Sequence, residues 1–207
     1  MSVDLTRHEP GSGEPAPEAH PAFYFDLASP EAYLSAERIL QLMPVATEWI
    51  PVLARDLPGT PPAPDRDAIA RVVEERGMQA LRWPDPLPFD SELGMLAATY
   101  AKQIGRTVAF TLAAFRQAYA AGRPMSEPDN VVIAGSACEM HPSALLKGCT
   151  LRGTRSTLDA ATALAGARGV RRVPAVWVPG PGPEAPGTVF HGDDGLERAA
   201  ALLATAA

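Results

Sequence analysis

The sequence has little cysteine, and this scarcity limits its chemistry. Its two cysteines, Cys138 and Cys149, are eleven residues apart, and neither belongs to the C-x-x-C spacing of a reactive redox pair. Cys138 falls with Ala134 and Ala137 on one face of a predicted helix, which predicts a buried, inert thiol. A disulfide between the two is the alternative, and a reducing compartment disfavours it. Cys138-x-x-His141 has half the ligands of a metal site and no second half, so no metal is predicted.

The sequence also lacks an excess of positive charge and long hydrophobic runs. Its net charge is −6, and the densest basic spot is the pair Arg171-Arg172, so no binding of nucleic acid or of an anionic membrane is predicted. No apolar run approaches the roughly 20 residues that span a bilayer. The first residues have no apolar stretch after a positive start, so no secretory signal is expected. These absences together predict a cytoplasmic protein.

What is present fits a globular protein with one sizeable core. Hydrophobic residues make up 46% of the 207 residues and charged residues 20%. Residues 1–20 are rich in proline, glycine, glutamate and serine, and they are predicted to be a disordered leader.

The first structured segment is predicted to be a β-α-β unit. Ala22–Leu27 is short, aromatic and bounded by a turn, which is typical of a buried strand. A helix then begins at Ser29-Pro30-Glu31, with serine as N-cap, proline at the first helical position and an acid in the first turn.

That helix is predicted to end at Pro44, and Ala46–Val52 supplies a second strand parallel to the first. Its core face is predicted from apolar residues at helical spacing: Tyr33, Ala36, Leu40 and Met43.

The middle of the chain is predicted to be helical. A proline-rich link at residues 57–64 marks a boundary, and residues 61–154 are predicted to form an all-helical insertion. A helix is predicted to begin at Asp129-Asn130 and to end near His141-Pro142. Three prolines exclude regular helix from Arg82–Phe89. One apolar face recurs at helical spacing: Leu93, Leu96, Ala97, Tyr100 and Ile104.

The end of the chain returns to α/β order. A capping box beginning at Ser156 predicts a helix to about Arg168. Strands Val173–Val178 and Thr188–His191 are predicted to form an antiparallel hairpin, followed by a helix over Asp194–Ala204. The order β-α-β, helical block, α-β-β-α predicts a thioredoxin-like core, residues 21–60 and 155–207, interrupted by the helical insertion.

Three segments resemble the DsbA-like family: FYFDLASPEAYLSAERIL, LRWPDPLPFDSELGMLAATYAKQIG, and GVRRVPAVWV followed by VFHGDDGLERAAALL. Within that family they are most similar to 2-hydroxychromene-2-carboxylate isomerases and kappa-class glutathione transferases. The resemblance covers residues 22–205. It rests on the Ser-Pro after the first strand, the Val-Pro opening the third strand and the Gly-Asp-Asp before the last helix, taken together.

The resemblance implies a thiol site. It implies that the Ser29 hydroxyl donates a hydrogen bond to the sulfur of bound glutathione, and that Pro174 follows a cis peptide bond. The Val173 backbone would pair with the cysteinyl part of the tripeptide. Asp193 and Asp194 would hold its γ-glutamyl end, with Asp194 the closer match. The alternatives are that Ser29 and the two acids only cap their helices, and that Pro174 is an edge-strand proline without a ligand role.

The position of the family's redox pair carries no thiol here. The equivalent tetrad is Ser29-Pro30-Glu31-Ala32, and thiol–disulfide exchange needs a thiolate, so redox chemistry at this site is excluded. The chain departs from the family at Arg172, before the Val-Pro, and at Gly195, after the acidic pair. The thiol is therefore glutathione or another low-molecular-weight thiol.

The predicted function is a thiol-dependent isomerase or transferase acting on a small conjugated aromatic acid. Tyr33 and Trp83 are candidates for an aromatic substrate pocket, with a role as core residues as the alternative. Arg172 is a candidate for the substrate carboxylate, with a solvated surface arginine as the alternative. The alternative function is a non-catalytic binding module for a thiol or a peptide, without redox activity. The resemblance further implies a homodimer.

Overall fold

The structure, a computed structural model, describes residues 20–59, 63–182 and 185–206. The predicted leader, apart from His20, lies outside the described residues. The strands are β1 (Ala22–Phe25), β2 (Glu48–Pro51), β3 (Ala175–Val178) and β4 (Thr188–His191). The helices are α1 (Pro30–Ala36), α2 (Ile39–Leu42), α3 (Arg66–Glu75), α4 (Glu92–Gln103), α5 (Thr107–Tyr119), α6 (Pro128–Ser136), α7 (Pro142–Thr150), α8 (Arg152–Ala167) and α9 (Gly195–Ala206). A 3-10 turn follows β2 at Ala54–Asp56.

The four strands form one mixed sheet in the order β2-β1-β3-β4. Strand β1 pairs in parallel with β2, with Phe23 opposite Trp49, and antiparallel with β3, with Phe23 opposite Val176. Strands β3 and β4 form the predicted antiparallel hairpin. The two ends of the chain therefore meet in one sheet, and the predicted thioredoxin-like α/β fold is confirmed.

Both faces of the sheet are buried. On one face, Phe23 and Phe25 pack among the helices, and the ring of Phe25 lies 6.0 Å from that of Phe115 in α5. On the other face, Tyr24 and Trp177 pack with Ala165 of α8. A strand buried on both faces is apolar throughout instead of alternating, which explains the run Ala-Phe-Tyr-Phe.

The helix after β1 is shorter than predicted. Helix α1 ends at Ala36, and α2 resumes at Ile39 after a break at Glu37 and Arg38. The break resets the helical phase, so Leu40 is 61% exposed and does not belong to the predicted core face.

Three further sequence predictions are wrong at helix ends. Helix α8 begins at Arg152, because the extended residue Leu151 is both the C-cap of α7 and the N-cap of α8. The predicted capping box at Ser156 therefore lies inside α8. Helix α6 ends at Ser136, before the predicted His141-Pro142; Cys138 lies beyond that end and is still buried. Ile104 follows the end of α4 and is 46% exposed, so it leaves the predicted face.

Gly148 lets α7 approach α4, and we expect Gly148→Ala to destabilise the protein. A Cβ at this position would lie 2.5 Å from Cγ of the Tyr100 ring. Overpacking costs roughly 1–3 kcal/mol and the gain in helix propensity offsets about 1 kcal/mol, so urea unfolding should show a net loss of up to roughly 2 kcal/mol. Gly153→Ala in α8 is the control, because nothing lies within 4 Å of its Cβ. Equal stability of both variants would contradict this tight contact.

Candidate functional site

A cleft of about 560 Å³ opens at the end of β1. Its walls come from the β1–α1 turn, the segment after β2, the segment before α4 and the start of β3. Most of its lining side chains are apolar. The lining residues are Asp26, Ala28, Ser29, Pro30, Glu31, Ala54, Arg55, Ala63, Pro64, Leu87, Pro88, Phe89, Asp90, Ser91 and Val173.

Ser29 is the N-cap of α1, as its sequence context predicts. The N–H of Ala32 donates to Ser29 Oγ at 3.1 Å, and Ser29 itself is extended, with Pro30 at the first helical position. Because the oxygen is an acceptor in this cap, the hydroxyl proton remains available. Among the described residues, no acceptor takes it. Ser29 can therefore donate a hydrogen bond into the cleft while it caps the helix.

Asp26 is a buried carboxyl in the cleft wall that the sequence reasoning missed. It is 2% exposed, and its two oxygens accept hydrogen bonds from the N–H groups of Ala28 (2.9 Å) and Ala54 (2.8 Å). Burial raises its pKa, while the hydrogen bonds from Ala28, Ala54 and Ser91 act in the opposite direction. Asp26 thus ties together the β1–α1 turn, the segment after β2 and the segment before α4. An acid directly after an apolar strand was the signal that could have found it.

A network of ion pairs holds the outer rim of the cleft. The Arg55 guanidinium contacts Asp90 at 3.0 Å and also pairs with Glu92, which in turn pairs with Arg155 of α8. These hydrogen bonds raise the pKa of Arg55 and lower that of Glu92. The charge of Arg55 is therefore engaged within the protein.

Val173 and Pro174 lie where β3 meets the cleft, and the bond between them is cis, as the resemblance predicted. Val173 lines the cleft, while the carbonyl of Pro174 accepts from Gly192 N–H at 2.9 Å. Within the described part of the chain, the N–H and C=O of Val173 have no hydrogen-bond partner. This backbone is free to pair with an extended ligand.

The acidic pair before α9 lies outside the cleft wall. Asp193 accepts hydrogen bonds from Ser35 Oγ (3.0 Å) and Arg38 Nε (3.1 Å), and it also pairs with Arg76. Asp194 is exposed and forms an ion pair with Arg198 at 3.4 Å. Asp193 is thus the more buried and more heavily bonded of the two acids, whereas the resemblance made Asp194 the closer match to the family's ligand-binding acid. Their role as cofactor ligands stays a prediction.

Solved structures share this architecture, although no family model and no curated protein matches the chain. A 2-hydroxychromene-2-carboxylate isomerase matches with a TM-score of 0.74 at 17% identity, over 90% of this chain and 95% of its own. A probable DsbA oxidoreductase from Streptomyces coelicolor matches with a TM-score of 0.69 at 16% identity, over 90% and 89%. This chain has a DsbA-like fold. The cytosolic disulfide reductase DsbM from Pseudomonas aeruginosa, solved with GSH, matches with a TM-score of 0.64 at 15% identity, over 90% and 98%.

Within this DsbA-like fold, the two candidate aromatic residues lie away from the cleft. Tyr33 is buried and stacks on Tyr119, with ring centroids 5.5 Å apart. Trp83 lines a separate hollow beside α3, with the Arg66 guanidinium 5.0 Å from its ring centroid. Neither ring is among the residues that line the cleft, and their role in a substrate pocket stays a prediction. Among the described residues, the aromatic side chain in the cleft wall is Phe89.

Arg172 is exposed and directly precedes Val173, so it lies at the edge of the cleft. Burial raises the pKa of Glu31 in the cleft wall, and the charge of Arg172 lowers it. Burial lowers the pKa of His191 in β4, and the charge of Arg172 lowers it further. The structure therefore keeps Arg172 as a candidate for binding a carboxylate.

Both cysteines are free thiols in the buried part of the DsbA-like fold, as predicted for Cys138. Burial raises the pKa of Cys138, and it raises that of Cys149 to about 11. Neither lines the cleft. Among the described residues, no helix has the length and apolar character needed to cross a bilayer.

Proposed function

We propose that the cleft binds a low-molecular-weight thiol, glutathione or another, and that the protein uses it to isomerise or conjugate a small conjugated aromatic acid. The observation that carries this proposal is the Ser29 hydroxyl, which keeps its proton free while its oxygen caps α1 at the cleft wall. Similarity in fold to an isomerase, and to a disulfide reductase solved with GSH, supports the same conclusion.

The residues present fit a thiol with a peptide-like body. The Ser29 hydroxyl can donate to a sulfur anion, and the unpaired backbone of Val173 can pair with an extended amide segment. The cleft volume of about 560 Å³ accommodates a thiol together with a small second ligand. An apolar wall that includes Leu87, Pro88 and Phe89 suits an aromatic substrate.

When bound, the thiol supplies a nucleophile that adds reversibly to a conjugated double bond and so permits rotation about that bond. Ser29 stabilises negative charge on the sulfur by its hydrogen bond. Asp26, a buried carboxyl in the cleft wall whose pKa is raised by burial, is the candidate group to exchange a proton with the bound ligands. The apolar wall excludes water from the reacting atoms.

Catalytic turnover distinguishes the proposed enzyme from the alternative, a non-catalytic binding module. We expect the protein to accelerate cis–trans isomerisation of a conjugated aromatic acid when glutathione or another small thiol is added, measured by ultraviolet absorbance. A non-catalytic module for a thiol or an extended peptide would use the same unpaired Val173 backbone. It would bind these ligands in calorimetry without any acceleration, and that result would overturn the enzymatic proposal.

We expect the purified protein to lack disulfide oxidoreductase activity. The redox position carries Ser29 and Ala32, and both cysteines are buried away from the cleft, so no thiolate is available there. Insulin reduction should proceed at the rate of a control variant with Cys138 and Cys149 both replaced by serine. Reduction clearly faster than that control would contradict the assignment.

The homodimer and the cytoplasmic location stay predictions. Light scattering of the purified chain tests the first, because a mass near 21.8 kDa would show a monomer. Fractionation of the cells that produce the protein tests the second.

A further inference from the structure

His191, the last residue of β4, contacts the segment that leads into the cleft. The backbone N–H of Arg171 donates a hydrogen bond to His191 Nε2 at 3.0 Å. Arg171 lies two residues before Val173, which lines the cleft. His191 itself lies opposite Ala175 in the β3–β4 hairpin, so its backbone is fixed by the sheet. A side chain on the edge strand β4 thus reaches the segment that carries a cleft residue.

The backbone of Arg171 is also held from its other side. Its carbonyl accepts a hydrogen bond from the N–H of Gly59, in the segment after β2, at 3.0 Å. This close approach needs glycine, because a Cβ at position 59 would collide with that carbonyl oxygen. Both backbone groups of Arg171 are therefore engaged, one by the segment after β2 and one by β4, and these are the two edge strands of the sheet.

Val173 lies on a short span between two such anchors. The first anchor is Arg171, held by His191, and the second is Pro174, whose carbonyl accepts from the N–H of Gly192 at 2.9 Å. Within the described part of the chain, the backbone of Val173 has no hydrogen-bond partner of its own. The place that this backbone takes in the cleft therefore depends on the two anchors, and both are supplied by the end of β4.

The hydrogen bond from Arg171 requires a neutral imidazole. Because Nε2 of His191 is the acceptor, the single proton of the neutral ring is on Nδ1. The imidazolium carries a proton on each nitrogen and cannot accept from an N–H group. Protonation of the ring therefore removes the anchor.

The surroundings of the ring favour its neutral form. The charged residues on the segments next to it are Arg171, Arg172, Arg198, Asp193 and Asp194. Arg198 of α9 donates to the His191 carbonyl at 3.2 Å, and both acids are paired with arginines, as described above. Burial lowers the pKa of His191, and the charges of the three arginines lower it further. Since the ordinary value is about 6.5, the ring is mostly neutral at pH 7.

We propose that His191 is a positioning residue, whose neutral imidazole holds Arg171 in place and thereby presents the backbone of Val173 to a ligand in the cleft. This inference rests on the proposed function and adds a residue outside the cleft that controls its affinity. As the pH falls through the pKa of His191, the imidazolium releases Arg171 and the segment loosens. Ligand affinity falls with it, because only the anchored segment is ready to pair.

Two substitutions separate the hydrogen bond from the imidazole that makes it. His191→Phe keeps a ring without an acceptor, whereas His191→Gln offers an amide oxygen near the position of Nε2 and does not titrate. NMR of the full chain at pH 7 measures hydrogen exchange at the Arg171 amide, and titration with glutathione, without oxygen, gives a dissociation constant. We expect His191→Phe to speed the exchange and to weaken glutathione binding, each by roughly twofold to tenfold, the factor of one net hydrogen bond. His191→Gln should restore both.

A pH titration gives a readout that a merely structural role would not move. Between pH 8 and pH 5, the Arg171 amide of the unchanged protein should shift with the same midpoint as the His191 ring, and His191→Gln should abolish that shift. An Arg171 amide that ignores the titration of the ring, or that is unaltered in His191→Phe, overturns the proposal and leaves the thiol function standing. Unaltered glutathione affinity in His191→Phe does the same. If the unchanged protein does not bind glutathione, the proposed peptide-like thiol is wrong and this inference falls with it.

Discussion

Ser29→Ala is expected to reduce thiol-dependent turnover by roughly 10- to 150-fold. The substitution removes one hydrogen bond to a charged sulfur, which contributes roughly 1.5–3 kcal/mol, and about 1.4 kcal/mol corresponds to a factor of ten in rate. The hydroxyl is well placed for this role, because its oxygen already accepts from Ala32 and its proton has no acceptor among the described residues. Initial rates at saturating and at limiting thiol measure the loss.

The loss of the N-cap must be separated from the loss of the sulfur contact. Ser29→Ala should also cost about 1 kcal/mol in the free energy of unfolding, because the N–H of Ala32 loses its acceptor. Ser29→Asn restores a capping oxygen and changes the group offered to the sulfur, so it should recover stability but not turnover. Ser29→Thr keeps both the capping oxygen and the hydroxyl donor, so it should retain most of the stability and most of the turnover. If Ala and Asn variants keep full thiol affinity and turnover while Ala alone loses stability, Ser29 is only a cap.

Asp26→Asn is expected to destabilise the fold by roughly 1–3 kcal/mol at mildly acidic pH, because a buried backbone N–H loses its acceptor. The two carboxyl oxygens accept separately from Ala28 and Ala54, whereas an asparagine has only one accepting oxygen. Its NH₂ group would then face one of these N–H donors. Urea unfolding at pH 5 measures this difference.

The cost of Asp26→Asn should shrink as the pH rises. Burial raises the pKa of Asp26 in the folded protein above its unfolded value of about 4. Between the two values the folded state binds more protons than the unfolded state, so the contribution of Asp26 to stability falls with increasing pH. Asparagine does not titrate, so the difference in the free energy of unfolding between the unchanged protein and Asp26→Asn should narrow from pH 5 to pH 8.

Asp90→Asn is the matched control for this pH dependence. Asp90 lines the same cleft, but its side chain is 66% exposed and pairs with Arg55 at the surface. Its substitution should cost less than about 1 kcal/mol. A gap for Asp26→Asn that is constant from pH 5 to pH 8, or that widens, would show that Asp26 stays charged in the fold.

Sequence patterns predicted those parts of the site that depend on local chemistry. The Ser29-Pro30 pair specified the start of α1, because a capping hydroxyl and a fixed φ act within one turn. Likewise, the hairpin strand Thr188–His191 has the predicted bounds. The capping box at Ser156 failed because the spacing of two polar residues also fits the exposed face of a helix that began earlier.

The sequence by itself determined the α/β order, the parallel pairing of the first two strands, the terminal hairpin and the absence of thiols from the redox position. These follow from apolar periodicity, turn residues and residue identity, which act over short distances. Only the tertiary structure decided which polar groups stand unpaired. Asp193 is taken by Arg38 and Arg76 from distant helices, whereas Glu31 is left open in the cleft. Burial and pairing are set by segments far apart in the chain, so no local pattern specifies them.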